Sequence, residues 1–329
     1  MTFSNPTPLS SRARDALDEN ANWNDPEPGR DGPVIVKLHP MGVADFLAKA
    51  FPPRELVLGP WLPAKGLVMI FAPRGIGKTW VSLNIAWAVA TGGDFLGWSA
   101  PKPRRVLYID GEMPGGTLQE RLASIARANG GQAPDGQALR FVASDLEEFG
   151  IPDLATPEGQ AAIDAVLGDA DLIVCDNLST LLRSGKENDS ESWVAFQGWL
   201  LAKRRQGRSV LLIHHAGKGG AQRGTSKRED ILDTVINLKR PSDYEPEQGA
   251  RFEVHFEKAR GFAGPEAEAF EAAFAEDQWT RKDLGDTRSA VVLKLKGEGL
   301  TQREIANQTG IALATVNRIL KREKDAGNG

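Results

Sequence analysis

From about Pro33 to Lys282, short apolar blocks alternate with helical stretches. That alternation predicts a mostly parallel sheet covered by helices on both faces, an α/β domain. The blocks that read as strands are Leu67–Phe71, Arg105–Ile109, Leu139–Val142, Leu172–Cys175 and Val210–Ile213. Two further alternating segments, Ile231–Leu238 and Arg251–Glu257, have no long helix between them and predict an antiparallel extension of the same sheet. Met1 to about Gly32 is rich in Pro, Asn, Asp, Ser and Gly, with little periodicity, and is expected to be a disordered tail. Residues 283–286 are polar and read as a linker into a separate helical module spanning the rest of 283–329.

That module carries a helix-turn-helix pattern between Leu300 and Leu320. Thr301 with Glu304 forms a capping box, and Ala306 is small where two helices would cross. Gly310 supplies the turn, while Ile311, Val316 and Ile319 return to a small core. The second helix would present Ala314, Thr315, Asn317 and Arg318 to a major groove of duplex DNA. A helical protein-interaction module is the alternative for the same pattern.

The chemistry concentrates after the first strand. Ala72-Pro73-Arg74-Gly75-Ile76-Gly77-Lys78-Thr79 joins an apolar strand to an apolar helix that begins with Trp80. Strand, glycine-rich turn, Lys-Thr and helix together are the context of a phosphate-binding loop. Gly75 and Gly77 let backbone N–H groups curl around a polyphosphate at the helix N-terminus. Ala72 through Trp80 therefore form the expected ATP-binding segment, with Ala72 standing where the pattern has its first glycine. Lys78 would reach the β- and γ-phosphates, and the Thr79 hydroxyl would hold Mg²⁺.

Other strands end in polar groups, and a parallel sheet gathers its strand C-termini at one edge. Asp176 closes Leu172–Cys175 and is the candidate second group on Mg²⁺, binding it through water. Glu112 follows Arg105–Ile109 and is the candidate that polarises an attacking water; Asp110 and Glu112 as solvated turn residues is the alternative. His214 and His215 end Val210–Ile213, and adjacent strand residues face opposite ways, so one of them can point at the nucleotide. No second His or Cys pair stands nearby to make a metal site of them.

The order of P-loop, strand ending in Glu, strand ending in Asp and strand ending in a polar sensor resembles the RecA-like P-loop NTPase core. More narrowly, Ala72–Thr79, Tyr108–Pro114, Val174–Ser179, Leu212–Lys218 and Arg223–Ser226 resemble the RepA family of hexameric replicative helicases and related AAA-type ATPases of plasmids and mobile elements. The resemblance implies that His215 senses the γ-phosphate. It implies that Lys258 and Arg260, in the K-x-R segment Glu257–Pro265, cross to a neighbour's nucleotide, with Arg223 as the second candidate finger. It also implies a ring homo-oligomer, a hexamer, with single-stranded DNA in its channel. Of the two loops that could line such a channel, Arg183–Ser190 carries acids that repel phosphates, so Lys218 in Gly217–Arg223 is the expected contact. Helicase or helicase-like replication ATPase is the function this implies; a helix-turn-helix regulator that oligomerises with ATP and does not unwind is the alternative.

Composition narrows little further. The chain has 329 residues, 41% hydrophobic and 26% charged, which suits a globular core plus a small module. A net charge of −4 means that any DNA contact must come from local patches. The single cysteine, Cys175, excludes an intramolecular disulfide and sits in an apolar strand as a core residue. No apolar run approaches the ~20 residues of a membrane span, and the expectation is a cytoplasmic protein without a membrane partner.

Overall fold

The computed structural model describes residues 38–183, 190–217 and 229–326. The tail expected over residues 1–32 lies outside them. The chain divides into two compact units, Met1–Pro53 and Arg54–Gly329. In the first, the short helix α1 (Val43–Ala48) buries none of its residues, and Phe46 packs on Phe51 with ring centroids 5.5 Å apart.

The second unit is built on one large sheet. Its strands are β3 (Leu67–Ala72), β6 (Val106–Asp110), β7 (Leu139–Ala143), β8 (Leu172–Asp176), β9 (Ser209–His215), β10 (Thr234–Lys239), β11 (Arg251–Ala259), β12 (Phe270–Ala275) and β13 (Gln278–Asp283). Two small antiparallel hairpins stand apart, β1 (Leu56–Leu58) with β2 (Leu62–Pro63) and β4 (Asp94–Phe95) with β5 (Trp98–Ser99). The sheet order is β13-β12-β11-β10-β3-β9-β8-β6-β7. Strands β7 through β10 pair in parallel, and β11, β12 and β13 continue antiparallel. Strand β9 thus stands between the P-loop strand and the strand of Asp176. This is a mixed α/β fold with a parallel-dominated sheet, and the seven strands read from the sequence all occur in it. But β10, expected to run in the antiparallel extension, pairs in parallel with β3, so the antiparallel part begins only at β11.

Continuous burial of β3, β6, β8 and β9 explains why these segments read as unbroken apolar runs: both faces are covered. One layer is filled by α2 (Lys78–Thr91), whose Val81, Leu83, Ile85, Val89 and Trp87 are buried, together with α3 (Gly115–Ala128). The other layer carries α4 (Pro157–Val166), the single turn α5 (Leu178–Leu181) and α6 (Ser190–Arg205), with Trp193, Phe196, Trp199 and Leu200 against the sheet.

The hairpin β12–β13 escaped the sequence reading. Its turn uses Glu276 and Asp277 at φ +52° and +60°, where Gly or Asn is the usual signal. Asp277 is held there by Ser124 and Arg127 of α3, at 2.5 and 3.0 Å.

The polar segment 283–286 is not a linker. Asp283 is the last residue of β13, and helix α7 (Leu284–Gly297) begins at once, with Leu284 buried. Helices α7, α8 (Gln302–Thr309) and α9 (Leu313–Ala326) form a small core of Val292, Leu295, Ile305 and Val316. Thr301 and Glu304 make the expected capping box, and Gly310 sits at φ +68° as the C-cap of α8.

One close approach ties the fold to its polar edge. A Cβ on Gly111 would lie 2.5 Å from Thr180 Oγ1 and 2.9 Å from Leu181 Cδ2, and the Gly111 N–H donates to Asp176 O at 2.8 Å. Gly111→Ala is therefore expected to lower stability by about 1–3 kcal/mol, the cost of overpacking. A chemical denaturation midpoint measures this, and an unchanged midpoint would show that α5 yields freely.

Candidate functional site

The C-terminal ends of β3, β6, β8 and β9 meet at one edge of the sheet, and the loop 72–79 caps it. Gly75 at φ +72° and Gly77 at φ +114° turn the chain from β3 into α2, conformations that favour glycine. Gly77 also runs close to the start of β11, since a Cβ there would meet Ala250 Cβ at 3.2 Å and the Phe252 ring at 3.5 Å. Ala72 ends β3 fully buried, whereas Pro73, Arg74 and Gly75 are exposed and Ile76 plugs the core. The buried Lys78 folds back along the loop, donating to Pro73 O at 2.9 Å and Ala72 O at 3.1 Å. Burial pulls its ammonium down to about 8, against the opposing charges of Asp176 and Glu112.

Beneath Lys78 lies the buried carboxylate of Asp176. Tyr108 OH donates to its Oδ2 at 2.6 Å, Ser82 Oγ lies 3.1 Å from the same oxygen, and Thr79 also hydrogen-bonds to it. Ser82 and Tyr108 are themselves 2.7 Å apart. Burial nevertheless raises the Asp176 carboxyl above its ordinary range; the hydrogen bonds and Lys78 only partly offset it. Thr79 and Asp176 are hard oxygen donors, side by side, with negative charge left to neutralise, which fits Mg²⁺. Among the described residues no group of three or more His, Cys, Asp or Glu side chains is placed to hold a metal alone. A Mg²⁺ held here would draw its remaining ligands from phosphate and water.

Glu112 stands on the next loop. Asp110 Oδ1 accepts from the backbone N–H of Glu112 at 3.0 Å and of Met113 at 2.7 Å, fixing the turn. Asn177 Nδ2 donates to Glu112 Oε2, and His215 Nε2 lies 3.8 Å from the same oxygen. Lys78, Thr79, Asp176, Glu112 and His215 are thus gathered at one edge. His214, its neighbour on β9, is buried.

Other expected residues fall elsewhere. The Trp80 side chain packs on Phe274, centroids 4.6 Å apart, with Arg121 over its ring. Lys258, one residue before the end of β11, donates to Glu229 O, and Arg260 Nη2 lies 3.4 Å from Asp230 O. The β10–β11 register pairs Ala259 with Thr234, which pairs with Val68. Lys258 and Arg260 therefore occupy the opposite edge of the sheet, about 20 Å along a six-residue strand from the P-loop of the same chain. Lys218 and Arg223 lie outside the described residues. On α9, Ala314, Asn317 and Arg318 are exposed, while Thr315 is half-buried.

Sequence reasoning missed Tyr108, Ser82, Asn177 and Arg240. Ser82 was findable, because it lies one helical turn after Lys78 and so shares its face. Asn177 directly follows Asp176. Arg240, just after β10, donates to Gly75 O of the P-loop at 3.0 Å, a contact no local pattern announces.

Asp110 makes a test of this electrostatics. Burial raises its carboxyl to about 6 from an ordinary 3.8, so the fold prefers it protonated. The stabilisation from holding that proton is complete below the ordinary value and is lost as pH rises through 6. Asp110→Asn keeps an oxygen for both N–H groups and no charge. It is expected to be more stable than the parent by on the order of 1–3 kcal/mol above about pH 7, the gap closing towards about pH 4. Thermal midpoints across pH decide this; a pH-independent difference would contradict it.

A winged helix-turn-helix DNA-binding family matches residues 295–326. Among solved structures, a KaiC-like protein from the hyperthermophilic archaeon Pyrococcus horikoshii OT3 is similar at 17% identity and a TM-score of 0.47, over 67% of this chain and 90% of that one. The AAA domain family matches residues 35–221, more than half of the sequence and the whole run from P-loop to His215. The chain belongs to the AAA domain family, a P-loop ATPase carrying a DNA-binding helix-turn-helix.

Proposed function

We propose that this chain is a DNA-associated ATPase motor of the RepA-type helicase kind, working as a ring. The observation that carries the hydrolytic part is Glu112, held by Asn177 beside His215, at the sheet edge where Lys78, Thr79 and Asp176 meet. In this reading the P-loop N–H groups and Lys78 take the β- and γ-phosphates of ATP. Thr79 and Asp176 would hold Mg²⁺, which would neutralise charge on the phosphates. Glu112 accepts a hydrogen bond from the attacking water and orients it, and Asn177 fixes the carboxylate. His215, next to Glu112, reads the γ-phosphate.

Arg260 supports the ring. It sits at the edge away from its own P-loop, so as a finger it serves a neighbour. Lys258 accompanies it, and Arg223 is the second candidate. Single-stranded DNA would pass the loop of Lys218, and duplex DNA would meet Ala314, Thr315, Asn317 and Arg318.

A second reading, an ATP-regulated DNA-binding protein that does not unwind, is favoured by one feature. Helix α7 leaves β13 without a linker, so the helix-turn-helix is built onto the ATPase body. ATPase rates with single-stranded, duplex and no DNA, beside strand displacement on a forked duplex, separate the two. Displacement supports the motor; duplex binding without it supports the regulator.

Lys78→Ala should abolish turnover in a folded protein, and Glu112→Gln should keep ATP binding while losing hydrolysis. Near-normal hydrolysis by Glu112→Gln would remove Glu112 from the mechanism. Arg318→Ala should weaken binding to a preferred duplex by about 1–3 kcal/mol.

Arg260→Ala should bind ATP yet hydrolyse it ~10³-fold more slowly or worse. Mixed with Lys78→Ala it should regain turnover, because an intact P-loop then meets an intact finger. Activity independent of protein concentration, with no rescue on mixing, would contradict the ring.

A further inference from the structure

A cleft of about 380 Å³ lies where the helix-turn-helix abuts the ATPase body. The segment after β10, with Arg240, forms one wall. Thr287 and Arg288 of α7 and the turn from Gly310 to Thr315 form the other. Three carboxylates also line it, and each is already engaged by a side chain. Glu271 and Asp243 both bond to Arg251 at 3.0 Å, and Glu253 is 2.7 Å from His255. Lys239, on the same wall, is taken by Glu257 at 3.2 Å.

Two guanidinium groups remain, Arg240 and Arg288, with no carboxylate partner among the described residues. The Thr287 hydroxyl is buried at the same place without a hydrogen-bond partner among the described residues. Helix α9 starts here at Leu313, and Ala312 before it has no side-chain oxygen to cap the first N–H groups. Guanidinium forks, a donor-capable hydroxyl and uncapped helix N–H groups are together the donor set of a phosphate diester.

We propose that this cleft seats a backbone phosphate of duplex DNA, and that Arg240 relays its occupancy to the P-loop. The occupant follows from the wall. The helix whose start lines the cleft exposes Ala314, Asn317 and Arg318 on its outer side, so a duplex met by those residues brings its backbone to the opening. The relay follows from Arg240 itself. Its guanidinium lies 3.7 Å over the Tyr244 ring and donates to Gly75 O at 3.0 Å, inside the phosphate-binding loop. A DNA phosphate would draw on the same donors and so alter the hold on the Gly75 carbonyl. Bound DNA would thereby change how the loop receives ATP. The inference rests on the helix-turn-helix binding duplex.

The test uses the full chain and a short random-sequence duplex, with affinity measured across salt concentrations and ATPase rates measured with and without saturating duplex. Arg240→Ala and Arg288→Ala should each make the slope of log affinity against log salt shallower by about 0.9, the share of one phosphate. Arg240→Lys should restore that slope, because it restores the charge. Only Arg240→Ala should also bring the ratio of ATPase rates with and without duplex to one. If the parent binds duplex and both alanine variants keep its salt slope, the phosphate seat is wrong while the DNA-binding reading stands. If Arg240→Ala weakens ATP binding alone, the cleft serves the nucleotide and the proposal fails. If the parent binds no duplex, the DNA-binding reading and this inference fall together.

Discussion

A carboxylate buried at the end of a parallel strand is the constraint around which this sheet edge is organised. Burying Asp176 costs free energy, and the fold offsets it with Tyr108, Ser82, Thr79 and the ammonium of Lys78. Those partners come from β6, from two turns of α2 and from the P-loop. The need to meet one carboxylate therefore fixes the spacing of three elements. The offset is incomplete, since the carboxyl stays above its ordinary range. A site kept electrostatically short of a cation fits the Mg²⁺ that the proposed function would bring there.

Glu112 is placed by a different device. Asp110 ties down the backbone of its turn, and Gly111 lets that turn pass beneath α5. Asn177, following Asp176, then reaches across to the Glu112 carboxylate. Adjacent strand ends thus hold each other's functional groups, so a shift in β8 would be felt at Glu112 as well as at Asp176.

Much of this was legible along the chain because its signals are local. The P-loop needs glycines in left-handed conformations followed by Lys-Thr, and the buried strands need unbroken apolar runs. What escaped depends on distance. The β12–β13 hairpin turns on Glu276 and Asp277, stabilised by side chains of α3 some 150 residues away. The polar residues 283–286 imitate a linker, yet Leu284 buries itself and carries α7 straight out of the sheet. Arg240 follows an ordinary strand, and only the pairing of β10 with β3 brings it to Gly75. The roles of Lys218 and Arg223 rest on resemblance alone.

In the proposed function, Asp176 carries a cost in stability because it would serve a magnesium nucleotide. Thermal unfolding of Asp176→Asn, without ligand and with MgATP, tests this directly. The account predicts a ligand-free variant at least as stable as the parent, because a buried charge is gone while the amide oxygen can still accept from Tyr108. It also predicts that the rise in melting temperature given to the parent by MgATP is lost in the variant. A variant that melts well below the parent without ligand, yet keeps the full rise with MgATP, would show that Asp176 is structural and contradict the account.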